Sequence, residues 1–176
     1  MSDVPGLEDL YREIILDHYR SPRNRGELES PPATRAEGFN PLCGDEIVIY
    51  VDVDTDSDPA TINDIRIAGQ GCSISQSSAS MMSAAVKGKT LDEVEDLTKA
   101  FKAMMSIHSH DLEEGEGLEQ SGDTGLHDEE VDDAPDISLG DLEALRGVVK
   151  FPVRIKCATL SWNTLAQGIE DATSDA

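Results

Sequence analysis

Aromatic side chains are nearly missing, at 4% of the 176-residue chain. Any core has to be mostly aliphatic, drawn from an apolar fraction of 38%. Positive charge is also short: 14 Lys and Arg stand against 36 Asp and Glu, a net charge of −22. Contacts to nucleic-acid phosphates need clustered cations, and anionic lipid makes the same demand, so neither nucleic acid nor a membrane is an expected partner. No run of about 18 apolar residues offers a membrane span. Met1 to Leu10 carries acids where a signal peptide needs a basic and then an apolar stretch, so a cytoplasmic location is expected. Cysteine is limited to Cys43, Cys72 and Cys157, and this odd, widely spaced set is a poor disulfide framework. Reduced thiols, reactive or metal-bound, are expected; three buried small hydrophobes are the plain alternative.

The acid that replaces this missing positive charge is both local and global. Twelve acidic residues lie between Asp111 and Asp136 without one Lys or Arg among them. Outside that stretch acids still outnumber bases. A chain this charged repels itself in dilute buffer, and salt relieves the repulsion. The composition fits a cytoplasm with molar salt, as in halophiles; an ordinary acidic protein carrying a disordered insert is the alternative.

Leu7, Leu10, Tyr11, Ile14, Ile15 and His18 follow helical spacing, and Pro22 predicts the end of that helix. Arg20, Arg23 and Arg25 follow at its C-terminus, where cations suit the helix dipole. Ile47, Ile49, Val51 and Val53 alternate with Glu46, Val48, Tyr50 and Asp52, predicting a half-buried strand. A turn at Thr55 to Pro59 leads to a second strand around Asp64 to Ile67, expected to pair antiparallel with the first. Thr34 to Phe39 offers a third, weaker strand. Gly69-Gln70-Gly71 is expected to break the second strand before Cys72. A helix of small residues is predicted from Ser73 to Val86. Thr90-Leu91-Asp92-Glu93 reads as a capping box for a helix with Leu91, Val94, Leu97, Phe101, Met104 and Met105 inward. Asp111 to Asp136 is Gly-rich and unpatterned, a solvated loop by composition. A short helix is expected from Ser138, stopping near Gly147, then a loop from Phe151-Pro152 to Cys157, then a last amphipathic helix. The order predicts an α+β fold: a small antiparallel sheet of about three strands with helices packed on one face. The whole chain, 1–176, is expected to be one domain with a flexible acidic insert at about 111–137.

Each cysteine falls at a structural transition. Cys43 enters a strand, Cys72 precedes a helix, and Cys157 is expected between a loop and a helix start. Helix N-termini favour thiolate, the form that binds metal or attacks sulfur. With Asp45 two residues from Cys43, three thiolates and one carboxylate would complete a tetrahedral zinc shell. No CxxC or HExxH motif is present, so spacing alone leaves the shared site and the buried-hydrophobe alternative both open. His18, His108, His110 and His127 do not adjoin a cysteine, and surface or packing roles are expected for all four.

Four stretches carry a family resemblance: Leu10-Tyr11-Arg12 through Asp17-His18-Tyr19 to Pro22-Arg23-Asn24; Asn40-Pro41-Leu42-Cys43-Gly44-Asp45; Gly69-Gln70-Gly71-Cys72-Ser73-Ile74-Ser75 through Ser80-Met81-Met82; and Phe151-Pro152-Val153-Arg154-Ile155-Lys156-Cys157-Ala158-Thr159-Leu160-Ser161-Trp162. They resemble the NifU/IscU superfamily, most closely its SufU type, over nearly the whole chain apart from the acidic insert.

The resemblance implies an IscU/SufE-like fold and work in iron–sulfur cluster assembly. It carries the metal ligands onto Cys43, Asp45, Cys72 and Cys157. It implies a zinc-dependent sulfurtransferase that takes persulfide sulfur on Cys43 from a PLP-dependent, SufS-like cysteine desulfurase, with a SufBCD-type scaffold downstream. IscU-type scaffolds have His just before the last Cys. Here Lys156 stands there, and charged Lys has no lone pair to donate. The same resemblance allows Arg154 and Lys156 to orient a carboxylate or persulfide; simple charge balance is the alternative. The runner-up function is a scaffold that assembles a labile [2Fe-2S] cluster on the same four residues, since cysteine suits both zinc and iron–sulfur ligation. A purely structural zinc clamp is the third reading.

Overall fold

The computed structural model of the chain describes residues 6–113 and 137–174. Its elements in chain order are α1 (Leu7–Arg20), β1 (Thr34–Asn40), β2 (Asp45–Asp54), β3 (Thr61–Gln70), α2 (Ser73–Val86), α3 (Leu91–Glu113), a 3₁₀ segment (Gly140–Lys150) and α4 (Pro152–Ser174). The strands form one antiparallel sheet in the order β1-β2-β3. The α+β expectation holds, including the weakly signalled β1.

Alternation along β2 turns Ile47, Ile49 and Val51 to one face, where they are buried. On β3, Ile62, Ile65 and Ile67 join them. Ile62 and Ile65 share that face although three residues apart, because the register shifts between Asp52 and Val53. Helices α2 and α4 cover this apolar face. Trp162 of α4 is fully buried and stacks on Phe101 of α3, with ring centroids 4.8 Å apart at 18°. This pair does much of the filling that the scarce aromatics can provide. The capping box is present: Thr90 N–H donates to Glu93 Oε2 at 2.8 Å, and Glu93 N–H to Thr90 Oγ1 at 3.1 Å. Among the described residues no helix is long and apolar enough to cross a membrane.

Several sequence expectations are corrected. The strand before Cys72 does not break at Gly69, which pairs with Ile47 while the ladder runs on to Gln70. Gly69 has φ +115°, and a Cβ there would overlap Glu46 O, so the glycine admits a close strand approach. The 3₁₀ segment passes through Gly147 to Lys150 because buried Val148 and Val149 carry it on. The loop expected before Cys157 is helix: α4 starts at Pro152. Proline suits the first helical turn, where its fixed φ helps and its missing N–H costs nothing. Cys157 is therefore inside α4, not ahead of it. Leu7 and Leu10 follow the spacing of α1 yet are exposed, while Tyr11, Ile14 and Ile15 pack against the core. Helix α3 takes in the start of the acidic stretch, to Glu113; the stretch from 114 to 136, with His127, lies outside the described residues.

His18 has the packing role expected of it. It is 2% exposed, with Nδ1 2.8 Å from Ser80 Oγ and Nε2 2.9 Å from Asp141 Oδ2. That ties α1 to α2 and to the 3₁₀ segment. The side chains of His108 and His110 lie outside the described residues.

Candidate metal centre

A four-residue hairpin loop, Pro41 to Gly44, joins β1 to β2, closed by the pair Asn40 and Asp45. Gly44 takes φ +66°, the left-handed turn such a loop needs. The loop lifts Cys43 to a half-exposed position at the sheet end. Asp45 is in phase with Ile47 and Ile49, so its carboxylate points into the covered face and is fully buried.

The other two cysteines come from helices. Cys72 is the N-cap of α2, and its Sγ accepts the Ser75 N–H at 3.5 Å. Its own N–H donates to Asp45 Oδ1 at 2.8 Å, and its Sγ is 3.8 Å from Asp45 Oδ2. Gly71 makes this approach possible, since a Cβ there would lie 2.5 Å from Asp45 Oδ1. Cys157 lies on the buried stripe of α4 with Ala158, Ser161, Trp162 and Leu165. Its Sγ is 3.3 Å from Cys43 Sγ. Cys43, Asp45 and Cys157 bring one donor atom each to within 4.8 Å of one another. Cys72 adjoins this group through Asp45.

Burial works against a charged Asp45, yet the Cys72 N–H and the Cys157, Cys72 and Ser75 side chains outweigh it, and the pKa falls below the ordinary value. Burial, then the Asp45 carboxylate and the Cys43 sulfur, push the Cys157 thiol up. The chain thus holds a buried carboxylate beside three sulfurs, with few compensating charges. Arg154, exposed at the start of α4, is the nearby cation, and the Cys72 and Cys43 sulfurs raise its pKa further. Lys156 is exposed.

Zinc fits this donor set. Tetrahedral zinc with Zn–S of about 2.3 Å needs neighbouring sulfurs roughly 3.8 Å apart. The one sulfur pair, Cys43 and Cys157 at 3.3 Å, lies about half an ångström inside that spacing, and Cys72 Sγ stands 3.8 Å from the Asp45 carboxylate, so a small side-chain adjustment admits the ion.

Asn40 and Gly71 belong to the site and were not singled out from sequence. The Asn40 amide lies 3.5 Å from both Asp45 Oδ2 and Cys157 Sγ. Its signal was the hairpin register, which sets it opposite Asp45. For Gly71 the signal was its place immediately before a cysteine N-cap.

A cleft of about 740 Å³ opens beside Cys72, between α1 and the start of α4. Tyr11, Ile15, Ile74 and Phe151 line it, with Arg12 and Arg154. Leu42 on the hairpin loop, with Phe151 and Val153 at the start of α4, adds exposed apolar surface beside the cysteines. Another cleft, about 510 Å³, lies by His18 and Asp141 and has no cysteine in its lining, so the thiol chemistry belongs with the first.

Residues 10–116 match the family described as NifU-like N-terminal domain. The chain is 41% identical to the zinc-dependent sulfurtransferase SufU of Bacillus subtilis (strain 168), over 96% of this chain and 95% of that protein. It is 37% identical to the iron–sulfur cluster assembly scaffold protein IscU of Streptococcus pyogenes serotype M1, over 93% and 85% respectively. Among solved structures it resembles one titled as an iron–sulfur cluster assembly scaffold protein for the SUF system from Fervidobacterium islandicum AW-1. That match has a TM-score of 0.64 at 31% identity, covering 92% of this chain and 97% of the other.

Proposed function

Because the chain belongs to the NifU-like N-terminal domain family, we propose that it is an iron–sulfur cluster assembly protein acting as a zinc-dependent sulfurtransferase, with Cys43 as sulfur acceptor. The observation that carries this is the exposure pattern. Cys43 and Cys72 are both half-exposed, whereas Cys157 is buried; of the two reachable thiols, Cys43 stands on a loop tip while Cys72 Sγ is held as the N-cap of α2 by the Ser75 N–H. A partner's persulfide can therefore reach Cys43 with the least disturbance of the fold.

Cys43, Asp45, Cys72 and Cys157 would hold zinc. Bound there, the ion supplies positive charge that keeps the thiols deprotonated in a place where burial disfavours thiolate. The donor is a PLP-dependent, SufS-like cysteine desulfurase. The Cys43 thiolate attacks the outer sulfur of the donor persulfide; that S–S bond breaks and the donor cysteine leaves as thiolate. A new persulfide stands on Cys43, with no net oxidation. The exposed apolar side chains around the cleft, with Arg12 and Arg154, offer the donor a surface to dock on, and Arg154, beside the Cys72 and Cys43 sulfurs, would balance the transferred anion. The recipient is a SufBCD-type scaffold, and the setting is the cytoplasm. The acidic segment 114–136 is read as dispensable for transfer.

Desulfurase turnover tests this, measured with and without the zinc-loaded chain in molar KCl. Strong stimulation is expected, and Cys43→Ala should remove it while still folding. No stimulation with zinc intact and a matched desulfurase would defeat the proposal. It would favour the second reading, assembly of a [2Fe-2S] cluster on the same four residues, which the Streptococcus pyogenes scaffold relative supports.

A further inference from the structure

The arrangement of the two nearest sulfurs has a chemical consequence beyond sulfur acceptance. It rests on the proposal that Cys43 takes the sulfur. We infer that Cys157 is a resolving thiol: in the metal-free chain it displaces the outer sulfur from a Cys43 persulfide, releasing hydrogen sulfide and leaving a Cys43–Cys157 disulfide.

Three observations carry this. Cys157 Sγ lies 3.3 Å from Cys43 Sγ, closer than sulfurs need to be when they share a metal. The two differ in depth, Cys157 being fully buried and Cys43 half-exposed. An outer sulfur added to Cys43 on its solvent side would stand away from buried Cys157, as displacement at the inner sulfur requires. Third, Asn40, itself 6% exposed, holds an amide nitrogen 3.5 Å from Cys157 Sγ, which fixes that sulfur against the loop. Cys72 is less well placed, because its Sγ is engaged with the Ser75 N–H and adjoins Asp45.

The step balances without an outside oxidant. Cys157 Sγ bonds to Cys43 Sγ, the persulfide S–S bond breaks, and the Cys157 proton leaves with the outer sulfur as hydrogen sulfide. The outer sulfur is reduced and the two cysteine sulfurs reach the disulfide level. When Cys157 serves as a metal ligand the reaction has no free nucleophile, and the persulfide is kept. Metal occupancy then decides whether the chain carries sulfur or discharges it.

The test uses the full chain without air, freed of metal, given one equivalent of glutathione persulfide and quenched with iodoacetamide over time. Trapped sulfide is measured beside Cys43→Ala as background, and peptides are mapped by mass spectrometry. The expected result is sulfide above background, matched by a peptide pair linking Cys43 to Cys157. Cys157→Ser should keep its Cys43 persulfide at least tenfold longer, Cys72→Ser should still discharge, and zinc loading should suppress release in the wild type. A wild-type persulfide as long-lived as that of Cys157→Ser would overturn the inference, as would a Cys43–Cys72 linkage or the absence of a Cys43 persulfide in every variant. Since the donor is a small molecule, these outcomes are independent of whether a desulfurase delivers sulfur to Cys43.

Discussion

Gly71→Ala is the most direct probe of how the metal centre is built. A Cβ at this position would lie 2.5 Å from Asp45 Oδ1, 2.7 Å from Ser75 Oγ and 3.0 Å from Asp45 Cα. Ser75 Oγ can rotate away. Asp45 cannot retreat, because its backbone is paired to Asn40 at the mouth of the hairpin and its side chain is fully buried. The carboxylate must swing, and its 2.8 Å bond from the Cys72 N–H is lost. Overpacking costs about 1–3 kcal/mol and an unpaired N–H a similar amount, so a loss of about 2–6 kcal/mol is expected for the metal-free fold. Misplacing the carboxylate should weaken zinc on the order of 10–100-fold. Urea unfolding of the metal-free chain reads the first effect, and competition against a chromophoric chelator reads the second. Gly147→Ala is the control: nothing lies within 4 Å of its Cβ and its φ is ordinary, so it should be neutral or slightly stabilising. If Gly71→Ala matched the wild type in both assays, Asp45 would not be seated as described.

Trp162→Ala should cost about 3–5 kcal/mol in urea unfolding, because it empties a fully buried site and removes the stack on Phe101; a loss under about 1 kcal/mol would mean the helical layer packs otherwise. Asp64 loses solvation by burial, but Lys87 Nζ at 3.0 Å, the Ile65 N–H and Arg66 Nη1 at 2.9 Å more than compensate and lower its pKa from 3.8. A lowered folded pKa gives stability that is full above the unfolded value and fades as pH falls through the folded one. Asp64→Asn should therefore be less stable by at most about 1 kcal/mol at neutral pH, the two converging below about pH 4. A gap that widened on acidification would contradict this. With a net charge of −22, the urea midpoint should rise from about 0.1 M to about 2 M KCl as the screening length falls from about 10 Å to about 2 Å. An unchanged midpoint would count against adaptation to molar salt. Replacing residues 114–136 with a short Gly/Ser linker should leave desulfurase stimulation within about twofold; a severe loss at full zinc occupancy would give the segment a part in transfer.

What the sequence made legible was whatever has a local cause. Alternation marked β2, the Thr90 to Glu93 pairing marked the start of α3, and Cys72 before a run of small residues marked a helix cap. Where the structure departs, a second force overrode the local signal. Buried Val148 and Val149 carried a helix through Gly147, and Pro152, read with Phe151 as the start of a loop, is instead the opening residue of α4. The convergence of the cysteines has no local signature at all. Cys43, Cys72 and Cys157 meet because a hairpin, a strand-to-helix turn and a distant helix end together, which no CxxC spacing announces, so family resemblance joined them where periodicity could not. Asp45 is the exception. It lies in phase with Ile47, Ile49 and Val51, so the alternation that identified the strand also placed a carboxylate on the buried face. An ionised carboxylate there is costly unless donors or a cation meet it. The Cys72 N–H meets one oxygen. The other faces two sulfurs and the Asn40 amide, and a cation bound among them would answer the remaining charge. The buried carboxylate of the candidate site is therefore written in the strand pattern, while the thiols beside it are brought by the fold.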